Sequence, residues 1–198
     1  GRLAAAVAAL DDPRPTVILF TSDHGMQLGS HGLLYKNVAY EESMRVPLIV
    51  HSPALVPPGS CDAVIDSLDV APTILGLAGI AATDPRMVGR DRAPVLRGQA
   101  EADADDATVY ARHASRSDPS SARGLRTTTG KLVAVWHPDQ GLDVQFFDLV
   151  ADPFELDSAP QAPAAHRLAT ALAAALAEAD DAWEGAAALA DAYPAVTG

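Results

Sequence analysis

The sequence predicts an α/β layer around a mainly parallel sheet, followed by a small antiparallel sheet with one C-terminal helix. Three observations carry this prediction. Two short apolar runs, Thr16–Phe20 and Val46–His51, read as buried strands, and helical patterns lie between and after them. From residue 108 onward, four short strand candidates succeed one another with turn residues between them. Finally, Ala164–Asp180 carries Leu168, Leu172 and Leu176 at steps of four, the stripe of an amphipathic helix.

Each element follows from local chemistry. Residues 1–10 place Leu3, Val7 and Leu10 at helical spacing, so the chain opens inside a helix and reads as a piece of something longer. Asp11-Asp12-Pro13-Arg14-Pro15 forms a turn into the first strand. Residues 21–45 are a glycine-bearing loop with a short helix, and residues 52–60, with three prolines and Gly59, are loop. A helix is expected over Asp69–Ala78, with Asp69 as N-cap, Pro72 in the first turn, Gly79 past the end, and Leu68, Leu75 and Ala78 facing the core. Alternating strand and helix implies parallel strands in this half. Residues 99–107 are acidic and read as a solvated connector. Thr108–Ala111, Leu125–Thr128, Lys131–Trp136 and Val144–Asp148 then make an antiparallel meander, with turns at Gly130 and at residues 138–141. The division is residues 1–100 as the α/β part, 101–180 as the small sheet and helix, and 181–198 as an Ala-rich tail.

Bulk properties narrow the function. The 198 residues carry a formal net charge of -12. With no basic stripe to offset it, this argues against nucleic acid and anionic membranes as main partners. No apolar stretch is long enough to span a bilayer. The single cysteine, Cys61, excludes an internal disulfide. None of this assigns a compartment or an oligomeric state.

The chemistry concentrates between residues 21 and 50. Asp23 and His24 lie just past the end of the first strand, where open α/β sheets bind ligands. Neighbouring loop residues can face one ion, and an Asp/His pair suits zinc or manganese by ligand type alone. A polar turn capped by Asp23 is the plainer reading. Lys36 stands among apolar residues and could hold a tetrahedral anion or protonate a leaving oxygen. Most lysines are merely surface charges. His31 could orient an anion, donate a proton, or serve as a structural hydrogen-bonding histidine. Glu41 and Glu42 could do acid–base work, but a solvated helix face paired with Arg45 is the simpler expectation.

Taken together, these segments resemble the sulfatase family of the alkaline-phosphatase-like superfamily. The resemblance begins with Thr21-Ser22-Asp23-His24-Gly25, His31-Gly32-Leu33-Leu34-Tyr35-Lys36 and Tyr40-Glu41-Glu42-Ser43-Met44-Arg45-Val46-Pro47. It continues in order through Ser67-Leu68-Asp69-Val70-Ala71-Pro72-Thr73, Gly89-Arg90-Asp91 with Pro94–Gly98, Arg126-Thr127-Thr128 with Lys131-Leu132-Val133, and Phe147-Asp148-Leu149 with Asp152-Pro153-Phe154-Glu155. It implies that Asp23 and His24 are ligands of one divalent metal. In this family that metal is usually calcium, with manganese or zinc as lesser alternatives. It implies that Lys36 contacts the sulfate group and assists the leaving group. The implied activity is hydrolysis of a small-molecule or saccharide sulfate ester. A phosphonate monoester or phosphodiester hydrolase of the same superfamily is the rival reading, and a non-catalytic fragment is another.

The family's nucleophile, a formylglycine made from Cys or Ser in a C/S-x-P-x-R signature, has no match here. Cys61 stands in an unrelated context. Ser117-Asp118-Pro119-Ser120 imitates the signature but lacks its arginine and follows the metal motif instead of preceding it. The paired aspartates expected to complete the metal site are also missing. The resemblance therefore implies the C-terminal part of such an enzyme, with formylglycine expected in an N-terminal part. Ser30, and Asp157-Ser158 after the D-P-x-E turn, are smaller departures from the family pattern.

Overall fold

The computed structural model describes residues 1–103, 106–116 and 118–194. The acidic connector, the Ser117 segment and the end of the tail thus fall partly outside the described residues. Two compact units form, one from residues 1–25 and 45–104, the other from residues 26–44 and 105–198. The second unit therefore takes in a segment from early in the sequence.

In the first unit, α1 (Arg2–Ala8) precedes β1 (Ile18–Phe20), and β2 (Ile49–His51) pairs with β1. The two strands run antiparallel, with Leu19 opposite Val50, where the alternation of elements led us to expect parallel neighbours. Parallel neighbours need a crossover, usually a helix. The connection from β1 to β2 contains only a 3₁₀ turn (Ser30–Gly32) and the four-residue α2 (Glu41–Met44).

Next comes α3 (Ser67–Leu77), which starts two residues earlier than expected. Asp66 is its N-cap, accepting from the backbone N–H groups of Leu68 at 2.8 Å and Asp69 at 3.1 Å. Asp69 is instead buried, and so are Pro72, Thr73 and Leu77 on the same face. Leu68 and Ala78, expected in the core, are exposed. The reason is Arg92, whose Nε donates to Asp69 Oδ2 at 2.9 Å and whose Nη2 donates to the Val64 carbonyl. Asp69 Oδ1 also accepts from the Arg90 backbone N–H at 2.7 Å. This pair pulls the Asp69 face inward. Gly89 belongs to the same packing, because a Cβ there would meet the Leu68 carbonyl oxygen at 1.9 Å. The short α4 (Ala93–Leu96) follows.

In the second unit, β3 (Ala107–Arg112), β4 (Ser121–Thr127), β5 (Gly130–His137) and β6 (Gly141–Asp148) form the expected meander in the order β3-β4-β5-β6. Successive side chains along a strand point to opposite faces. Leu125, Leu132 and Phe146 are cross-strand neighbours, and so form one row. That face packs against α5 (Pro163–Glu178), whose Ala165, Ala169, Leu172 and Leu176 are buried with it. Pro163 suits the first turn of α5, where its missing N–H would have no partner.

The Ala-rich region is anchored too. Trp183 and Leu189, the latter on α6 (Ala186–Ala192), lie in the same core. Trp183 Nε1 donates to Ser121 Oγ at 2.9 Å, and Arg123 makes two hydrogen bonds to the Asp181 carboxylate. Arg126, Lys131 and Phe147 form the next cross-strand row and point to the opposite face of the sheet. That face meets Ala39, Tyr40 and Glu41.

Candidate functional site

Asp23 and His24 belong to the first unit, directly after β1. Asp23 Oδ2 lies 3.3 Å from His24 Nε2, and Oδ1 accepts from the His24 backbone N–H at 2.9 Å. That backbone hydrogen bond is the main cause holding the Asp23 carboxyl below its ordinary value. His24 Nδ1 lies 2.9 Å from the Gly25 carbonyl oxygen. A proton on Nδ1 would donate to that carbonyl, leaving the Nε2 lone pair beside the carboxylate. One oxygen and one nitrogen donor thus converge, with the Asp23 side chain 80% exposed. Asp23 and His24 fit a divalent cation as two of its ligands. A calcium ion would need several more oxygens from elsewhere.

His31 and Lys36 belong to the second unit. Residues 27–35 form a loop closed on itself, with the Gln27 N–H donating to the Tyr35 carbonyl at 3.1 Å and the Gly29 N–H to the Leu33 carbonyl at 2.8 Å. Its backbone is unusual, because Leu28, Gly29, His31 and Gly32 all have positive φ. Lys36 follows immediately and is exposed.

His31 sits differently. Its side chain is 11% exposed, its ring stacks on Tyr40 at 3.7 Å between centroids with planes 6° apart, and Nε2 lies 3.5 Å from Glu42 Oε2. These contacts are those of an organising histidine.

Glu41 and Glu42 do not form a solvated face paired with Arg45. Glu41 accepts from Arg126 Nη2 at 3.0 Å and lies 3.3 Å from Lys131 Nζ, while Glu42 faces His31. Lys131 Nζ also contacts the Ala39 carbonyl and Glu155 Oε1. Glu155 Oε2 in turn accepts from the Glu41 backbone N–H at 2.7 Å. Burial opposes ionisation of Glu41. Even so, the Arg126 hydrogen bonds and the charges of Lys131 and Arg126 outweigh it and hold the carboxyl below its ordinary value. Burial is the larger influence on Glu155 and pushes its carboxyl up, despite Lys131.

Sequence reasoning assigned no role to Arg126, Lys131 or Glu155. A signal was present, since a lysine opening an apolar strand such as Lys131–Trp136 needs a partner if that strand is central. The Asp118 turn is structural, with Oδ1 accepting from the Ser120 N–H and hydroxyl. Cys61 is exposed. No helix among the described residues is long and apolar enough to cross a membrane.

Residues 29–182 match the family described as N-sulphoglucosamine sulphohydrolase, C-terminal, and the chain belongs to this family of sulfatase C-terminal portions. An N-acetylglucosamine-6-O-sulfatase of Bacteroides thetaiotaomicron is 32% identical over 163 residues, covering 80% of this chain and 29% of that protein. A choline-sulfatase of Rhizobium meliloti is 34% identical over 157 residues, covering 78% and 28%. The chain thus spans less than a third of either relative. A solved sulfatase-fold structure in complex with its substrate D-glucosamine-2-N,6-O-disulfate superposes with a TM-score of 0.78 at 29% identity, over 92% of this chain and 38% of that one. The phosphonate monoester hydrolase of Agrobacterium radiobacter shares the fold, with a TM-score of 0.65 at 23% identity over 90% and 37%.

Proposed function

We propose that this chain is the C-terminal part of an enzyme that hydrolyses a sulfate ester, with a sulfated saccharide as the substrate class. The observation that carries the reading is the family match over residues 29–182, a range that includes Lys36. The substrate class draws on two relatives, an N-acetylglucosamine-6-O-sulfatase and the structure bound to a disulfated glucosamine.

Asp23 and His24 would hold one divalent cation, calcium before manganese or zinc. The cation would neutralise sulfate oxygens, and a formylglycine in the N-terminal part would supply the attacking oxygen. This chain's own contribution centres on Lys36. Its ammonium would hold a sulfate oxygen as a point charge and deliver a proton to the departing alkoxide. His31, stacked on Tyr40 and facing Glu42, would keep the neighbouring loop in place.

The test is turnover by the whole protein that contains this chain, isolated from its source with an antibody to α5. Glucosamine 6-sulfate should turn over, and a matched phosphonate monoester should do so far more slowly. Lys36→Ala should lower kcat about a hundredfold or more with the fold intact. Near-normal turnover in that variant would sink the role of Lys36, and a preference for the phosphonate would favour the rival hydrolase.

A further inference from the structure

Lys131 is 1% exposed and Glu155 is 2% exposed. Buried lysines are rare unless paired, and an ammonium offers three donors. Lys131 directs them at the Ala39 carbonyl, Glu41 and Glu155. These partners come from distant parts of the chain, because Ala39 and Glu41 lie in the segment 26–44 and Glu155 lies in the turn after β6. Arg126, beside Lys131 in the cross-strand row, adds two hydrogen bonds to Glu41. Phe147, the third member of that row, packs against Tyr40 with ring centroids 6.0 Å apart. Tyr40 stacks on His31, and the ring nitrogen of His31 and the carboxylates of Glu42 and Glu155 lie within 4.8 Å of one another. Those three groups alone would suit a cation, but Lys131 already supplies the positive charge at Glu155.

The backbone agrees. His31 has φ 53 and Glu155 has φ 56, left-handed conformations that non-glycine residues seldom hold unless their surroundings over-determine them. Both belong to this cluster. Lys36 lies between the self-closed loop 27–35, which is tied through His31 to Tyr40 and Glu42, and the anchored stretch 39–42.

We propose that the buried Lys131 and Glu155, with the half-buried Glu41 and Arg126, form an ionic clasp that fixes the Lys36-bearing segment on the small antiparallel sheet. The sheet thereby serves as the mount of an anion-binding lysine. Lys131 and Glu155 are positioning residues, although neither is near Lys36 in sequence, and His31 belongs to the mount. The clasp rests on contacts within the second unit. Only its catalytic purpose rests on the sulfatase reading.

Amide hydrogen exchange on the 198-residue chain tests it, with Lys131→Met, Lys131→Arg and Glu155→Gln beside the unaltered protein. Lys131→Met should raise exchange in residues 26–44 about tenfold or more, while amides of β4, β5, β6 and α5 keep their protection. Lys131→Arg, which restores a cation, should recover much of that protection. The ¹⁵N shifts of the His31 ring should move in Lys131→Met, which replaces a residue that contacts Ala39, Glu41 and Glu155 and not the histidine. If Lys131→Met does not fold, Glu155→Gln carries the same test, because Lys131 then still pairs with Glu41. Unchanged exchange in 26–44, or a loss of protection spread evenly over the whole second unit, would overturn the clasp. A loosened segment in a protein that hydrolyses no sulfate ester would leave the clasp standing and remove only the sulfatase reading.

Discussion

Asp66 and Asp69 lie three positions apart at the start of α3, and they do different work. Asp66 is a capping group at the helix N-terminus, while Asp69 is one half of a buried pair with Arg92. Their truncations should differ accordingly. Asp66→Ala should cost the first unit about 1 kcal/mol, the usual loss for an N-cap. Asp69→Ala should cost about 3–5 kcal/mol, because it removes a buried carboxylate that accepts from both Arg92 Nε and the Arg90 backbone N–H. Urea midpoints for the two variants check the order, and equal losses would refute the assignment of roles. The same distinction separates Glu41 from an ordinary helix-surface glutamate. Its neighbours Arg126 and Lys131 are 85 and 90 residues away in sequence.

At the scale of elements, α5 and the meander stabilise each other. Leu172 is fully buried against the face formed by Leu125, Leu132 and Phe146. Leu172→Ala should cost about 2–5 kcal/mol, through lost transfer energy plus the cavity left behind. Arg167 on the exposed side of the same helix should tolerate alanine within about 0.5 kcal/mol. A denaturant series on the two variants separates the faces, and comparable losses would mean that α5 does not pack through its Leu172 side. The other face of the sheet works differently. Its row beside the β4–β5 turn carries Arg126 and Lys131, charges that hold a loop instead of packing a helix.

At the scale of the whole molecule, acidity should act on the second unit in two opposing ways. Glu41, Asp118, Asp152 and Asp181 are all held below their ordinary values. The stability each adds is present above its unfolded value and is lost as pH falls through the lowered folded value. Glu155 has the opposite sign. Its folded value lies above the ordinary 4.5, so at neutral pH its ionised form costs stability. That cost fades as pH falls through the raised value toward 4.5. The unaltered protein should therefore gain stability relative to Glu155→Gln between pH 7 and about 4.5, even as both weaken further below. Denaturation midpoints at the two pH values decide this, and a difference (unaltered protein minus Glu155→Gln) that stays constant or falls on acidification would show that Glu155 is not held above its ordinary value.

Local periodicity and local chemistry encode much of this protein. The four strands of the meander, the Leu168-Leu172-Leu176 stripe of α5 and the Asp23-His24 pair past β1 were all legible, because each depends on residues a few positions apart. The family was legible too, since ordered short motifs survive without any knowledge of contacts. Tertiary structure decided the rest. Nothing local says that β1 and β2 pair antiparallel, that Asp69 turns inward to Arg92, or that Trp183 joins the core beside α5. Nor does anything local say that Lys131, Glu155 and Glu41 meet. A buried charge is tolerable only when its partner arrives from elsewhere in the chain, and it is folding that brings that partner.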